Sequence, residues 1–212
     1  MPMTRILAIA DEIDETLYSD KLYDLRPDLI ISCGDLPFDY LDNLVSRSNV
    51  PLLYVPGNHD PDLQREVQMA TMMTAEVPGP QGCDSLDVRV IDEAGLRVAG
   101  IGGSIRYNTG SNQYTQGEMR LRALRLEMRL RWKRLWRGRG LDVLVTHAPP
   151  LGVGDLDDDA HIGIAAFHRL VKVFAPRFLI HGHVHSGARH GPDLRLGDTQ
   201  VVNVIPSRLL EV

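Results

Sequence analysis

The chain has 212 residues, a formal net charge of −5, and 43% hydrophobic against 6% aromatic residues, which suits one soluble globular domain over residues 1–212. Its apolar runs fall short of the roughly 20 residues that a spanning helix needs, and the N-terminus lacks the features of a signal peptide. The two cysteines, Cys33 and Cys83, make neither a disulfide framework nor a Cys-rich zinc site, so a cytoplasmic location is expected and any metal must use other ligands.

In chain order, "ILAIAD", "LIISCGD" and "LLYVPGNHD" read as three buried strands, each ending in polar or glycine-bearing residues. "SLDVRVIDEAGLRVAGIGGS" follows as a hairpin turned at Glu93 to Gly95, and "SIRYNTGSNQYTQGE" is a polar loop long enough to shape specificity. Residues 119–139 then carry nine basic side chains against the single acid Glu127, a local excess of +8 on a body of −13. At 100° per residue Leu121, Leu124, Met128, Trp132 and Leu135 share one helical face, while Met119, Ala123, Leu126 and Leu130 share the opposite one. One stripe can pack on the domain. The other is available to a lid, a partner subunit in a homo-oligomer or a membrane surface, and the charge makes nucleic acid a further candidate partner.

Two more buried strands end in "LDVLVTH" and "FLIHGHVH", with the acidic stretch "LGVGDLDDDAHIG" between them, and "DLRLGDTQVVNVIPSRLLEV" adds two strands around Gly197 and Asp198. Apolar runs separated by helix-compatible segments define an α/β fold with strands covered on both faces, in one mixed sheet or two. Open α/β sheets place ligands past the strand ends. Five such ends here carry Asp11, Asp35, Asn58 with His59 and Asp60, His147, and His183 with His185. Mixed carboxylate, imidazole and amide donors suit Mn, Fe or Zn, and a pair of such ions activates a shared hydroxide for in-line displacement at phosphorus.

The ordered set Asp11, "GD" at 34–35, "GNHD" at 57–60, "THAPP" at 146–150 and "GHVH" at 182–185 resembles the calcineurin-like metallophosphoesterases over residues 6 to about 185. The resemblance implies a four-layer αββα sandwich of two mixed sheets flanked by helices, and a two-metal phosphodiesterase or small-molecule phosphatase without a cap. It implies that Asp35 bridges the ions, that Asn58, His147 and His183 complete the ligand set of the second metal, and that Asp11 and His185 serve the first metal. His59 would be the general acid, oriented by Asp60; imidazole suits that role because it titrates near neutral pH. The alternatives are a nuclease drawing on the basic segment, and a non-catalytic scaffold with this fold.

The first motif departs from the family pattern Asp-x-His, since Asp11-Glu12-Ile13 has no imidazole. On an extended strand end Ile13 would point where the histidine should, and Glu12 away, so the first site is expected to be the weaker unless water, Asp14 or a distant residue fills it. Asp39 is expected to have no metal role. His161, Asp155 and Arg106 are the candidates for a replacement ligand or a substrate contact, although a polar loop with a helix cap explains the acidic stretch equally well.

Overall fold

The computed structural model describes residues 3–62, 79–138, 140–185 and 193–212, without the side chains of 136 and 137. Strands β1 (Arg5–Ile9), β2 (Leu29–Ser32), β3 (Leu52–Tyr54) and β4 (Cys83–Ser85) run parallel, and the last strand, β13 (Ser207–Glu211), joins them antiparallel to β1. The order of this sheet is β13-β1-β2-β3-β4. The second sheet holds β5 (Arg89–Glu93), β6 (Leu96–Ile101), β9 (Val143–Thr146), β10 (Phe178–His181), β11 (Leu194–Leu196) and β12 (Thr199–Asn203), in the order β11-β12-β10-β9-β6-β5. A short parallel pair, β7 (Ser104–Ile105) with β8 (Gln113–Tyr114), lies in the loop after β6. Both sheets are mixed, and the C-terminal stretch supplies three strands, one more than its sequence suggests.

Four helices complete the described fold: α1 (Lys21–Leu25), α2 (Phe38–Ser48), α3 (Gln116–Arg137) and α4 (Ala166–Phe174). Alternation along each strand sorts its side chains between two apolar layers. From β1, Ile6 and Ala8 face the second sheet and meet Val143, Val145, Ile180 and Val202, whereas Leu7 and Ile9 face Leu22, Tyr40, Leu41 and Leu44 of α1 and α2. On the far side Leu144 and Leu179 pack against Leu126 and Leu130 of α3 and Phe167 and Leu170 of α4. The order is therefore helix, sheet, sheet, helix. A strand buried on both faces has no room for polar alternation, which is why β1, β2, β9 and β10 are nearly continuous apolar runs.

Helix α3 has defined ends. Thr115 and Glu118 form a reciprocal capping box at its start, and Gly138, at φ +61°, ends it in the left-handed conformation that costs glycine least. Its Met119, Leu126 and Leu130 are buried, each contributing about 2 kcal/mol of transfer free energy. Arg122 is buried as well, with Nη2 donating to both oxygens of Asp87 and its guanidinium over the Tyr114 ring. Arg139, the last of the basic run, lies outside the described residues. No helix among the described residues is long and apolar enough to cross a membrane.

Candidate metal centre

The ends of β1, β2 and β3 in one sheet and of β9 and β10 in the other meet over the inter-sheet core. Each turn there is tight. Asp11, Asp35 and His183 all sit at positive φ (59°, 57° and 67°), a left-handed backbone that costs a non-glycine residue about 1 kcal/mol or more and recurs where function needs a side chain aimed. Glycine permits the close approach: a Cβ on Gly57 would lie 2.0 Å from Asp35 Oδ1, and one on Gly182 would lie 2.1 Å from Asp11 Oδ2. Backbone N–H groups also fix the carboxylates, with His59 N donating to Asp35 Oδ1 (2.8 Å) and His183 N to Asp11 Oδ2 (2.9 Å).

Asp11, Asp35 and His147 each offer one ligand atom, and these atoms lie within 4.8 Å of one another. His147 is fully buried, and its Nδ1 meets the Cys33 carbonyl (2.8 Å) while Nε2 meets Asn58 Oδ1 (2.8 Å) and Asp35 Oδ2 (3.3 Å). Burial alone would depress its pKa, but the Asp35 hydrogen bond and the charges of Asp11 and Asp35 outweigh it and lift the imidazole to about 9. Asp35 is held below the ordinary carboxylate range because His147 and the His59 N–H outweigh its own burial; burial pushes Asp11 up. Burial, reinforced by the charge of His147, takes His183 down to about 3. Two carboxylates set beside a buried histidine offer oxygen and imidazole donors that fit a divalent metal.

A cleft of about 320 Å³ opens over this cluster, lined by Asp11, Asp35, His59, Tyr107, Ala160, His161, His183 and His185, with Asn58 and His147 buried beneath. His59 stands exposed at its rim. Among the described residues the Asp60 carboxylate makes its hydrogen bonds to backbone N–H groups and makes none to the His59 ring. It accepts from Gly57 N (2.7 Å) and Asp35 N (3.0 Å), bracing the two motif turns against each other. His161 lines the cleft with its ring 5.2 Å from His183, and Asp158 holds its Nδ1 at 2.8 Å. Arg106 and Asp155 lie off the cleft, each used locally: Arg106 pairs with Glu118 (3.0 Å), and Asp155 accepts from Gly163 N (3.0 Å).

The stretch after β1 differs from the extended geometry its sequence suggests. Asp11 turns the chain at once, with Glu12 N donating to the Ala10 carbonyl at 2.6 Å, so side-chain alternation ends there. Ile13 consequently faces solvent, 42% exposed and off the cleft, while Glu12 swings to His185 and meets its Nδ1 at 2.9 Å. His185 Nε2 is 3.8 Å from Asp11 Oδ1. Asp14 does not turn inward either; it caps the following turn and bonds Ser207. Tyr107 and Asn112 are the other contributors not singled out as site residues from sequence. Tyr107 Oη accepts from Asn58 Nδ2 (3.1 Å), and Asn112 Nδ2 donates to the Gly57 and Asp60 carbonyls (3.0 Å each). The amide-rich loop carrying them was the only available signal.

The chain belongs to the calcineurin-like phosphoesterase family, whose model matches residues 5–187. Membership supports metal-dependent phosphoester hydrolysis as its general activity. Two solved structures share the fold. One crystal structure is 19% identical with a TM-score of 0.68, covering 99% of this chain and 95% of its own, and TT1561 of Thermus thermophilus is 18% identical with a TM-score of 0.60, covering 95% and 88%. A search of curated protein sequences returned no match.

Proposed function

We propose that this chain hydrolyses small phosphomonoesters or phosphodiesters at the cleft over Asp11, Asp35 and His147, using two divalent ions. Asp35 would be shared between them, with Asp11 and His185 toward one and Asn58, His147 and His183 toward the other. When bound, the ions supply positive charge to the phosphoryl oxygens and lower the pKa of water at the site. The observation that carries this reading is the convergence of three ligand atoms within 4.8 Å at the floor of an open cleft.

Each side chain has a task that does not depend on a further domain. The buried hydrogen bonds of His147 to Cys33 and Asn58 fix its ring before any ion arrives. His59, exposed at the rim and anchored through its own N–H to Asp35, is the group placed to hand a proton to the departing oxygen. His161, which also lines the cleft, is a candidate substrate contact. A cleft of about 320 Å³ suits small substrates better than folded protein.

Purified protein supplemented with Mn should hydrolyse p-nitrophenyl phosphate or its bis-ester, and His59→Ala should lower kcat by about 10²- to 10⁴-fold with metal content unchanged. Full activity in that variant would remove His59 as the acid. A metal-loaded protein inert toward both esters would instead favour the non-catalytic scaffold.

A further inference from the structure

Helix α3 buries one face in the core and exposes the other to solvent. Leu121, Leu124, Met128, Trp132 and Leu135 form a stripe diametrically opposite the buried one, with Met128 63%, Trp132 65% and Leu135 81% exposed. Arginines border it on both sides: Arg120, Arg131 and Arg134 along one flank, Arg125 and Arg129 along the other, all exposed. On the second flank a groove of about 560 Å³ runs between α3 and β5, where Arg89, Arg125, Arg129 and Lys133 surround Val90, Met128 and Trp132. Apolar floor and cationic walls thus occur together on the surface of a chain that is otherwise acidic.

We propose that this face of α3 docks on an anionic lipid surface, with the apolar stripe at the boundary of the acyl chains and the bordering arginines among the headgroup phosphates. Charge complementarity selects that occupant. A second copy packed face to face would set arginine rows against each other. Nucleic acid would meet the cations but could not bury the aliphatic centre of the stripe, because phosphodiesters gain nothing from leucine and methionine. A bilayer interface satisfies both halves at once, since arginine stems lie along apolar surface while their heads stay at the phosphates, and a tryptophan favours the same depth. At 22 residues, α3 would lie along the surface for about 33 Å. The proposal is independent of turnover at the cleft.

The test uses the full chain with vesicles of phosphatidylcholine alone and of equimolar phosphatidylcholine and phosphatidylglycerol. The protein should float with the anionic vesicles only. In a Trp136→Phe background, Trp132 emission should shift to the blue on binding and be quenched by brominated lipid. Met128→Glu and Leu135→Glu, both at exposed positions, should weaken binding at least about tenfold while the circular dichroism spectrum stays unchanged, and Arg125→Glu with Arg134→Glu should do the same. Three results would overturn the proposal: no binding to the anionic vesicles at low salt, binding that survives the two apolar-to-Glu changes, or a lipid-free dimer that Met128→Glu dissociates, which would assign the stripe to a second copy.

Discussion

The two halves of the candidate metal centre are built by different means. Around Asp35 the donors rest on the core: His147 is fully buried, Asn58 and His183 nearly so, and their hydrogen bonds run to backbone carbonyls, to one another and to the Tyr107 hydroxyl. Around Asp11 the outer support is a surface pair, His185 and Glu12, whose side chains are 53% and 57% exposed. The first half is fixed by folding, so the order of its side chains costs nothing when a ligand arrives. The second must be ordered against solvent, and water competes for each of its contacts. One motif-rich site can therefore hold two positions of unequal firmness.

Removing Asp35, the carboxylate proposed to be shared by both positions, should be the most damaging change. Asp35→Ala is expected to reduce metal affinity and turnover on the order of a thousandfold, more than the loss of any outer partner of a ligand, as read by metal analysis after dialysis and by ester hydrolysis. Full metal retention in that variant would break the assignment of Asp35 to both positions. Proton linkage probes the buried half next. With the His147 pKa raised to about 9, the metal-free imidazole is protonated at neutral pH, and an ion that binds the neutral ring must displace that proton. Affinity should rise about tenfold per pH unit from neutrality toward 9 and level off above it, with close to one proton released in calorimetry across buffers of different ionisation enthalpy.

Smaller effects belong to the open half. Glu12→Ala should weaken only the position served by His185, by about three- to tenfold, because the pair it breaks is exposed; loss of both metals together would mean that the halves are one unit. Ile13→His should change metal affinity by less than about twofold, since that side chain faces solvent beyond the turn. Marked tightening on titration with Mn would show that the segment after β1 can straighten.

What the sequence reveals of this molecule follows from how strongly burial constrains each part. Strands covered on both faces must be apolar throughout, so β1, β2, β9 and β10 stand out, and the residues just past them gather at one edge of a parallel arrangement. The hairpin at Glu93 to Gly95 is equally plain, because Ala94 and Gly95 both adopt positive φ. The fate of Glu12 and Ile13 is not legible: one backbone torsion at Asp11 decides it, and an aspartate accepts either conformation without a mark in the sequence. Nor is the brace from Asn112 to Gly57 and Asp60, which depends on a polar loop returning across a distance of 52 residues or more in the chain. Nor are the local pairings of Arg106 with Glu118 and of Asp155 with Gly163 N legible, since a charged side chain in a loop pairs with a neighbour as readily as it faces a cleft.

The pairing of β13 with β1 has a consequence for how the protein comes into being. Among the described strands, the one that delivers Asp11 is made first, and its antiparallel neighbour, from Glu211 opposite Arg5 to Ser207 opposite Ile9, is made after all the others. Until β13 is made, one edge of β1, with Ile6, Leu7 and Ile9, is left without its partner strand and open to pairing with another chain. A substitution that disturbs residues 207–211 would thus act on nascent-chain solubility and, through β1, on the Asp11 carboxylate.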